Sequence, residues 1–145
     1  MTNLKQLVNT NWNIIFLCWL IASTSALGSM FFSEIMDFPP CVLCWYQRVF
    51  MFPLAIILLT GLFPYDKSVI KFSLPLAVGG LCFAIYHSLV YAGFIPENLQ
   101  PCSQGVSCSD KYIELFGFIT IPMLSLISFS IIVSLLLVLL RRNYI

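Results

Sequence analysis

Charge is what this sequence has least of. Only 9% of its 145 residues are Asp, Glu, Lys or Arg, and the formal net charge is +1. No basic tail and no phosphate-cradling glycine loop is present, so nothing points to a nucleic-acid partner. A single histidine, His87, offers no haem-ligand pair, and there is no flavin motif, low-complexity tract or internal repeat. With 60% hydrophobic residues and a mean hydropathy of +0.96, an ordinary soluble domain is excluded as well.

What the chain has instead is apolar length. Crossing about 30 Å of hydrocarbon takes about 20 apolar residues as a helix. Four runs qualify, at about 12–32, 44–63, 72–94 and 115–140. They leave no room for a separate soluble domain, so residues 1–145 read as one integral-membrane unit set among membrane lipids. The fold class expected is all-α, a polytopic four-helix bundle. In the first run, Lys5, the apolar stretch and Ser23-Thr24-Ser25-Ala26 loosely fit a cleaved signal peptide. Apolar character nevertheless continues through Leu27, Met30, Phe31 and Phe32, which favours a retained span. Gly79-Gly80 in the third run are small enough for close helix contact.

The few charges orient the bundle. Lys5, Lys67, Lys71, Arg141 and Arg142 fall on one side, opposed only by Asp66. Glu34, Asp37, Glu97, Asp110 and Glu114 fall on the other, with Lys111 as the one loop cation. The positive-inside rule then makes both termini cytoplasmic and turns loops 33–43 and 95–114 outward. Those loops, with the head of the second run, carry Cys41, Cys44, Cys102 and Cys108. An outward position is one where disulfides persist.

The chemistry centres on Cys41-Val42-Leu43-Cys44-Trp45-Tyr46-Gln47-Arg48, behind Pro39-Pro40. Two thiols at a helix N-terminus sit where the dipole favours thiolate, the reactive form. Arg48 follows Cys44 by four residues and shares its helix face. Placing arginine in a span costs about 2.5–3.5 kcal/mol on insertion scales. A cation there is expected either to snorkel to headgroups or to lower the Cys44 pKa and hold the polar head of a membrane-soluble ligand. Gln47 offers an amide at the same depth. Trp45 and Tyr46 are compatible with an interfacial belt. Closing a four-residue loop constrains the unfolded chain by only about 2 kcal/mol, so a purely structural disulfide is a weak explanation. A tetra-cysteine zinc site built from all four loop cysteines is the other bland reading, although the Cys102–Cys108 spacing is unusual for zinc. His87 fits interhelical hydrogen bonding or a place near the electron acceptor. Cys18 and Cys82 look like small core residues, and Ser125, Ser128, Ser130 and Ser134 like interhelical packing.

Cys102 and Cys108 lie in a Ser-, Gln- and Gly-containing loop, expected to be accessible to attack by a partner's thiolate. Two outward dithiols permit a relay, but exchange only moves oxidising equivalents, so a terminal acceptor is needed. A lipid quinone is the natural candidate in such a membrane protein.

On Pro40-Cys41-Val42-Leu43-Cys44, Arg48, the second pair, and Gly117 and Pro122 near the last helix, the chain resembles the DsbB (disulfide bond formation protein B) family. The likeness is strongest to its short BdbC-like type. It implies a bacterial plasma-membrane thiol oxidase that reoxidises a thioredoxin-fold partner and reduces menaquinone or ubiquinone. Carried onto this sequence, Cys102 receives the partner's attack, Cys108 is its loop mate, Cys41 exchanges with that pair, and Cys44 faces the quinone with Arg48. His87 is placed near the quinone only by approximate match, and the second cysteine loop is much shorter than in long members. The alternatives are a relative of vitamin K epoxide reductase, whose CxxC is expected on a late helix, or a non-enzymatic subunit with structural disulfides or zinc.

Overall fold

In the computed structural model, residues 2–102, 108 and 120–144 are described. They form four long helices: α1 (Thr2–Glu34), α2 (Val42–Leu62), α3 (Val69–Tyr91) and α4 (Ile121–Tyr144), with a 3₁₀ turn at Glu97–Leu99. All four are long and apolar enough to cross a membrane. Helices exhaust their backbone hydrogen bonds internally, which is why a chain this apolar adopts them. The 33 residues of α1 reach about 50 Å at about 1.5 Å each, so this helix outruns the hydrocarbon.

The helices close into a ring in which α1 packs on α2, α2 on α3, α3 on α4, and α4 back on α1. Two side-chain bridges show that α1 and α4 run antiparallel. Asn11 donates to Asn143 at 3.1 Å near one end, and Ser25 meets Ser128 at 3.2 Å further along. The architecture is an all-α four-helix bundle.

A stripe of small residues sets how closely α3 enters this ring. Ser73, Ala77, Gly80, Ala84 and His87 are all buried, three or four residues apart, and therefore on one face. A Cβ on Gly80 would meet the Phe129 ring, and one on Gly79 would stand 2.7 Å from Phe50. Both glycines thus do what their place in the sequence suggested: they let α4 and α2 approach. The matching face of α2 is Leu43, Gln47, Met51, Leu54 and Leu58, with Arg48 beside it. Polar Gln47 and His87 lie on these inward stripes, so the bundle brings them face to face.

Local stops hold the cysteine-bearing ends. At the end of α3, Gly93 takes φ +79°, with Gly93 N–H on Val90 O at 3.1 Å and Phe94 N–H on Leu89 O at 3.1 Å. That is a Schellman ending, which glycine permits because it lacks a Cβ. The chain then turns toward Cys102 at the same end as Cys41.

Candidate functional site

The Cys-x-x-Cys spacing matches the spacing of a helix cap. Cys41 is the N-cap of α2, in extended conformation at φ −71° and ψ 168°, and its Sγ accepts from Cys44 N–H at 3.3 Å. N-cap to N3 is the pairing that Ser or Asp ordinarily makes. Here a sulfur makes it, and negative charge on that sulfur is stabilised by the free N–H groups and dipole of the first turn. Cys44 Sγ lies 2.7 Å from Cys41 Sγ, so the two thiols join with little movement of the backbone.

On its other side Cys41 meets α3. His87 Nε2 lies 3.8 Å from Cys41 Sγ, and its Nδ1 lies 3.1 Å from the Gln47 amide nitrogen. With Gln47 donating to Nδ1, Nε2 carries the proton and donates to the Cys41 sulfur. Gln47, His87 and Cys41 thereby form a buried chain. The thiol of Cys41 is held far below the ordinary thiol range, at about 4. The hydrogen bond from the Cys44 thiol is the main cause; burial opposes it, His87 adds to it, and the Cys44 backbone N–H adds least. Sequence reasoning expected the thiolate on Cys44 beside Arg48; the thiol held low here is Cys41.

Arg48 is buried rather than snorkelling, with only 7% of its surface exposed. Its Nη2 donates to the Ser29 carbonyl at 2.5 Å, and its guanidinium lies 5.2 Å from the centre of the Trp45 ring. Trp45 is therefore more than a belt residue, because its face helps hold the cation. Among the described residues no carboxylate pairs with Arg48.

These groups open onto one cavity of about 360 Å³. Cys44, Gln47, Arg48, His87, Phe129 and Thr120 are among the residues that line it. Its walls are otherwise mostly apolar, and its volume suits a single ring-bearing head group. Thr120 contributes a buried hydroxyl with no hydrogen-bond partner among the described residues.

Cys102 and Cys108 form a disulfide with Cα atoms 5.8 Å apart. Both are buried, in one cluster with Cys41, Leu43 and Val90, against which Cys44, Phe83 and Tyr86 pack. This corrects the expectation of an accessible pair: packing against α2 and α3 covers the sulfurs. It also places all four cysteines of interest together. Glu114, Asp110, Lys111 and Gly117 lie outside the described residues, and of Glu97 only the backbone is described.

A metal fits this set less well than a redox couple. Cys41, Cys44 and His87 place their donor atoms within 4.8 Å of one another. Zinc–sulfur bonds of about 2.3 Å at a tetrahedral angle would hold two sulfurs roughly 3.8 Å apart. The observed 2.7 Å suits disulfide formation instead. Joined to each other, Cys102 and Cys108 offer no thiolate for a tetra-cysteine site. Elsewhere, Cys18 is buried in the core as expected, but Cys82 faces outward from the bundle. Of the four serines assigned to packing, Ser128 bridges to α1, whereas Ser125, Ser130 and Ser134 bond carbonyls of their own helix.

Comparison with known proteins agrees with this chemistry. Residues 11–139 match the family described as "Disulfide bond formation protein DsbB". The chain belongs to the DsbB family. It is 46% identical to a "Probable disulfide formation protein" of Metapseudomonas resinovorans over 133 residues, covering 91% of this chain and 92% of the relative. It is 48% identical to "Disulfide bond formation protein C" of Bacillus subtilis (strain 168) over 124 residues, 83% of this chain and 88% of that one. A "Probable disulfide formation protein C 2" of Bacillus cereus is 46% identical over 121 residues, 83% and 86% respectively. No solved structure matches the chain significantly. As a DsbB-family protein it is a multi-pass thiol–disulfide oxidoreductase of the bacterial plasma membrane that supports disulfide formation. Membership sets aside the vitamin K epoxide reductase alternative, in keeping with a CxxC that opens α2 and not a late helix.

Among the lining residues that sequence reasoning missed are Thr120 and Ser29. Thr120 carried a signal, since Thr-Ile-Pro reads as a helix start with proline in the first turn. Ser29 carried none, because it contributes a backbone carbonyl.

Proposed function

We propose that this protein relays electrons from an outward thioredoxin-fold thiol oxidase, through Cys102–Cys108 and Cys41–Cys44, to a membrane quinone. The observation that supports it most is the placement of Cys41. It shares a buried cluster with the Cys102–Cys108 disulfide and, together with its mate Cys44 and Arg48, lines the cavity. The charge bias supports cytoplasmic termini and outward loops 33–43 and 95–114 within a single domain, residues 1–145.

In the first exchange, once the buried loop pair is uncovered, a partner thiolate attacks Cys102 and releases Cys108 as a thiolate; the partner's second thiolate then attacks the partner sulfur of that mixed disulfide and releases Cys102, leaving a partner disulfide and a reduced loop pair. A loop thiolate next attacks Cys41 of the Cys41–Cys44 disulfide, releasing Cys44. The second loop cysteine resolves the mixed disulfide and releases Cys41, and a thiol held near pKa 4 is a fast leaving group. Each exchange moves two electrons and leaves the total of disulfides unchanged. A quinone, when bound, supplies the acceptor of two electrons and two protons that exchange alone lacks. Menaquinone and ubiquinone both satisfy that balance.

The residues present fit such a group. Arg48 would offer a buried cation to a quinone carbonyl oxygen in a mostly apolar cavity, and Thr120 has a hydroxyl with no partner among the described residues. Gln47 and His87 hold the proton beside Cys41. The test is quinone-dependent oxidation of a reduced thioredoxin-fold partner by purified protein and its four single-cysteine variants. Wild type is expected to turn over catalytically and each variant to stop. Full turnover by Cys44→Ala would refute the relay.

A further inference from the structure

Thr120 immediately precedes α4, and its carbonyl accepts from Leu124 N–H at 3.1 Å to close the first turn. This is the N-cap position, where a threonine hydroxyl ordinarily accepts from the second or third helical N–H. The second position here is Pro122, which has no N–H. Thr120 Oγ1 has no hydrogen-bond partner among the described residues, although the residue is only 7% exposed. Neighbouring hydroxyls on the cavity wall differ. Ser125 bonds Pro122 O at 2.9 Å, and Ser128 bonds Leu124 O at 2.9 Å. Leaving a buried hydroxyl unmatched is costly. Thr120 lines the same cavity as Cys44 and Arg48, at the positive end of a helix.

We propose that the Thr120 hydroxyl, at the N-terminus of α4, donates a hydrogen bond to a carbonyl oxygen of the quinone head group in this cavity. This deepens the quinone reading above and rests on it. Arg48 from α2 and Thr120 from α4 then hold the head group between two helices, with the Cys44 sulfur on the same wall. The local sequence contributes to this, because Pro122 removes one of the hydroxyl's two usual partners.

The experiment uses full-length protein in lipid nanodiscs, titrated with short-chain ubiquinone and menaquinone analogues while tryptophan fluorescence is followed. Trp45, against Arg48, is the reporter. Thr120→Val keeps the shape and removes the hydroxyl, whereas Thr120→Ser keeps the hydroxyl. Thr120→Val is expected to weaken quinone binding by roughly five- to tenfold, with Thr120→Ser within about twofold of wild type. The quinone KM should rise in parallel, with the partner KM and the rate of disulfide exchange with reduced partner unchanged. Wild-type affinity in Thr120→Val would overturn the proposal. Equal losses in both variants would overturn it too, because they would show a packing role. If the wild-type protein bound neither analogue, the quinone reading itself would fall with it, a result recognisable from the wild-type titration alone.

Discussion

Substituting Gly80 tests whether the packing that positions the site has been understood. An alanine Cβ at this position would overlap Phe129 Cε1 and Cζ, and even Cδ1 would stand only 2.8 Å away. Ordinary carbon contacts are about 3.5–4.0 Å, so the ring must retreat by more than about 1 Å. Phe129 is fully buried and cannot swing out into lipid. Overpacking of this kind typically costs about 1–3 kcal/mol. Against it stands the helix propensity of alanine over glycine, about 1 kcal/mol. The net range is then about 0–2 kcal/mol, and overlap with a fully buried ring puts Gly80→Ala toward its upper end, on the order of 1–2 kcal/mol. Gly79→Ala is the control, because Phe50, the ring it meets, is only partly buried and can move. Its change should be near zero. The assay is SDS unfolding in mixed micelles, followed by circular dichroism. Adding Phe129→Leu should relieve Gly80→Ala, with a favourable coupling of at least about 0.5 kcal/mol. Additive losses, or a neutral Gly80→Ala, would refute the reasoning. Because Phe129 also lines the cavity, the same substitution should raise the quinone KM.

Two further outcomes follow from the site. Arg48→Ala should raise the quinone KM by about ten- to a hundredfold, the range for losing a hydrogen bond to a charged group, and leave the partner KM near wild type. Steady-state kinetics with each substrate varied in turn would show it, and the reverse pattern would remove Arg48 from the quinone site. The second concerns pH. A thiol depressed to about 4 is charged above that value, so alkylation of reduced Cys41, read by peptide mass spectrometry, should be level at neutral pH and fall as pH drops through about 4. Cys44→Ala removes the main cause and should move the midpoint up toward the ordinary thiol value of about 8.5, with His87→Ala moving it less. Unchanged midpoints in both would contradict the hydrogen-bonded arrangement.

Helix number and the reactive dithiol were legible because each has a signal that survives in a single sequence. Apolar length marks a span, and Cys-x-x-Cys with an arginine one turn later marks redox chemistry. Direction around each helix was harder to read. In lipid both faces of a helix are apolar, so the polar–apolar contrast that orients a soluble helix is missing. Cys18 and Cys82 look alike in their runs, yet one is buried and the other exposed. The useful signal was smallness: Ala77, Gly80 and Ala84 mark the inward face of α3, and His87 falls on it. Burial of Cys102 and Cys108 depends on contacts with residues far away in sequence, which loop composition does not report.

The N-cap explains why a structural position and a reactive group coincide at Cys41. A helix start leaves N–H groups without partners, and some acceptor must meet them. With oxygen as the acceptor the result is a cap and nothing more. With sulfur, the same N–H groups add to the stabilisation of a thiolate, and the residue three positions on becomes the natural site for its mate, whose thiol supplies the main part. Cys44 N–H is the group that Cys41 caps, so the hydrogen bond that begins α2 also holds the two sulfurs at bonding range. One further turn along, Arg48 is carried inward on the same helix to the cavity. In the proposed relay, disulfide exchange at Cys41 and quinone reduction at Cys44 are thereby joined by a single turn of helix. Nothing has to move far for electrons to pass from one to the other.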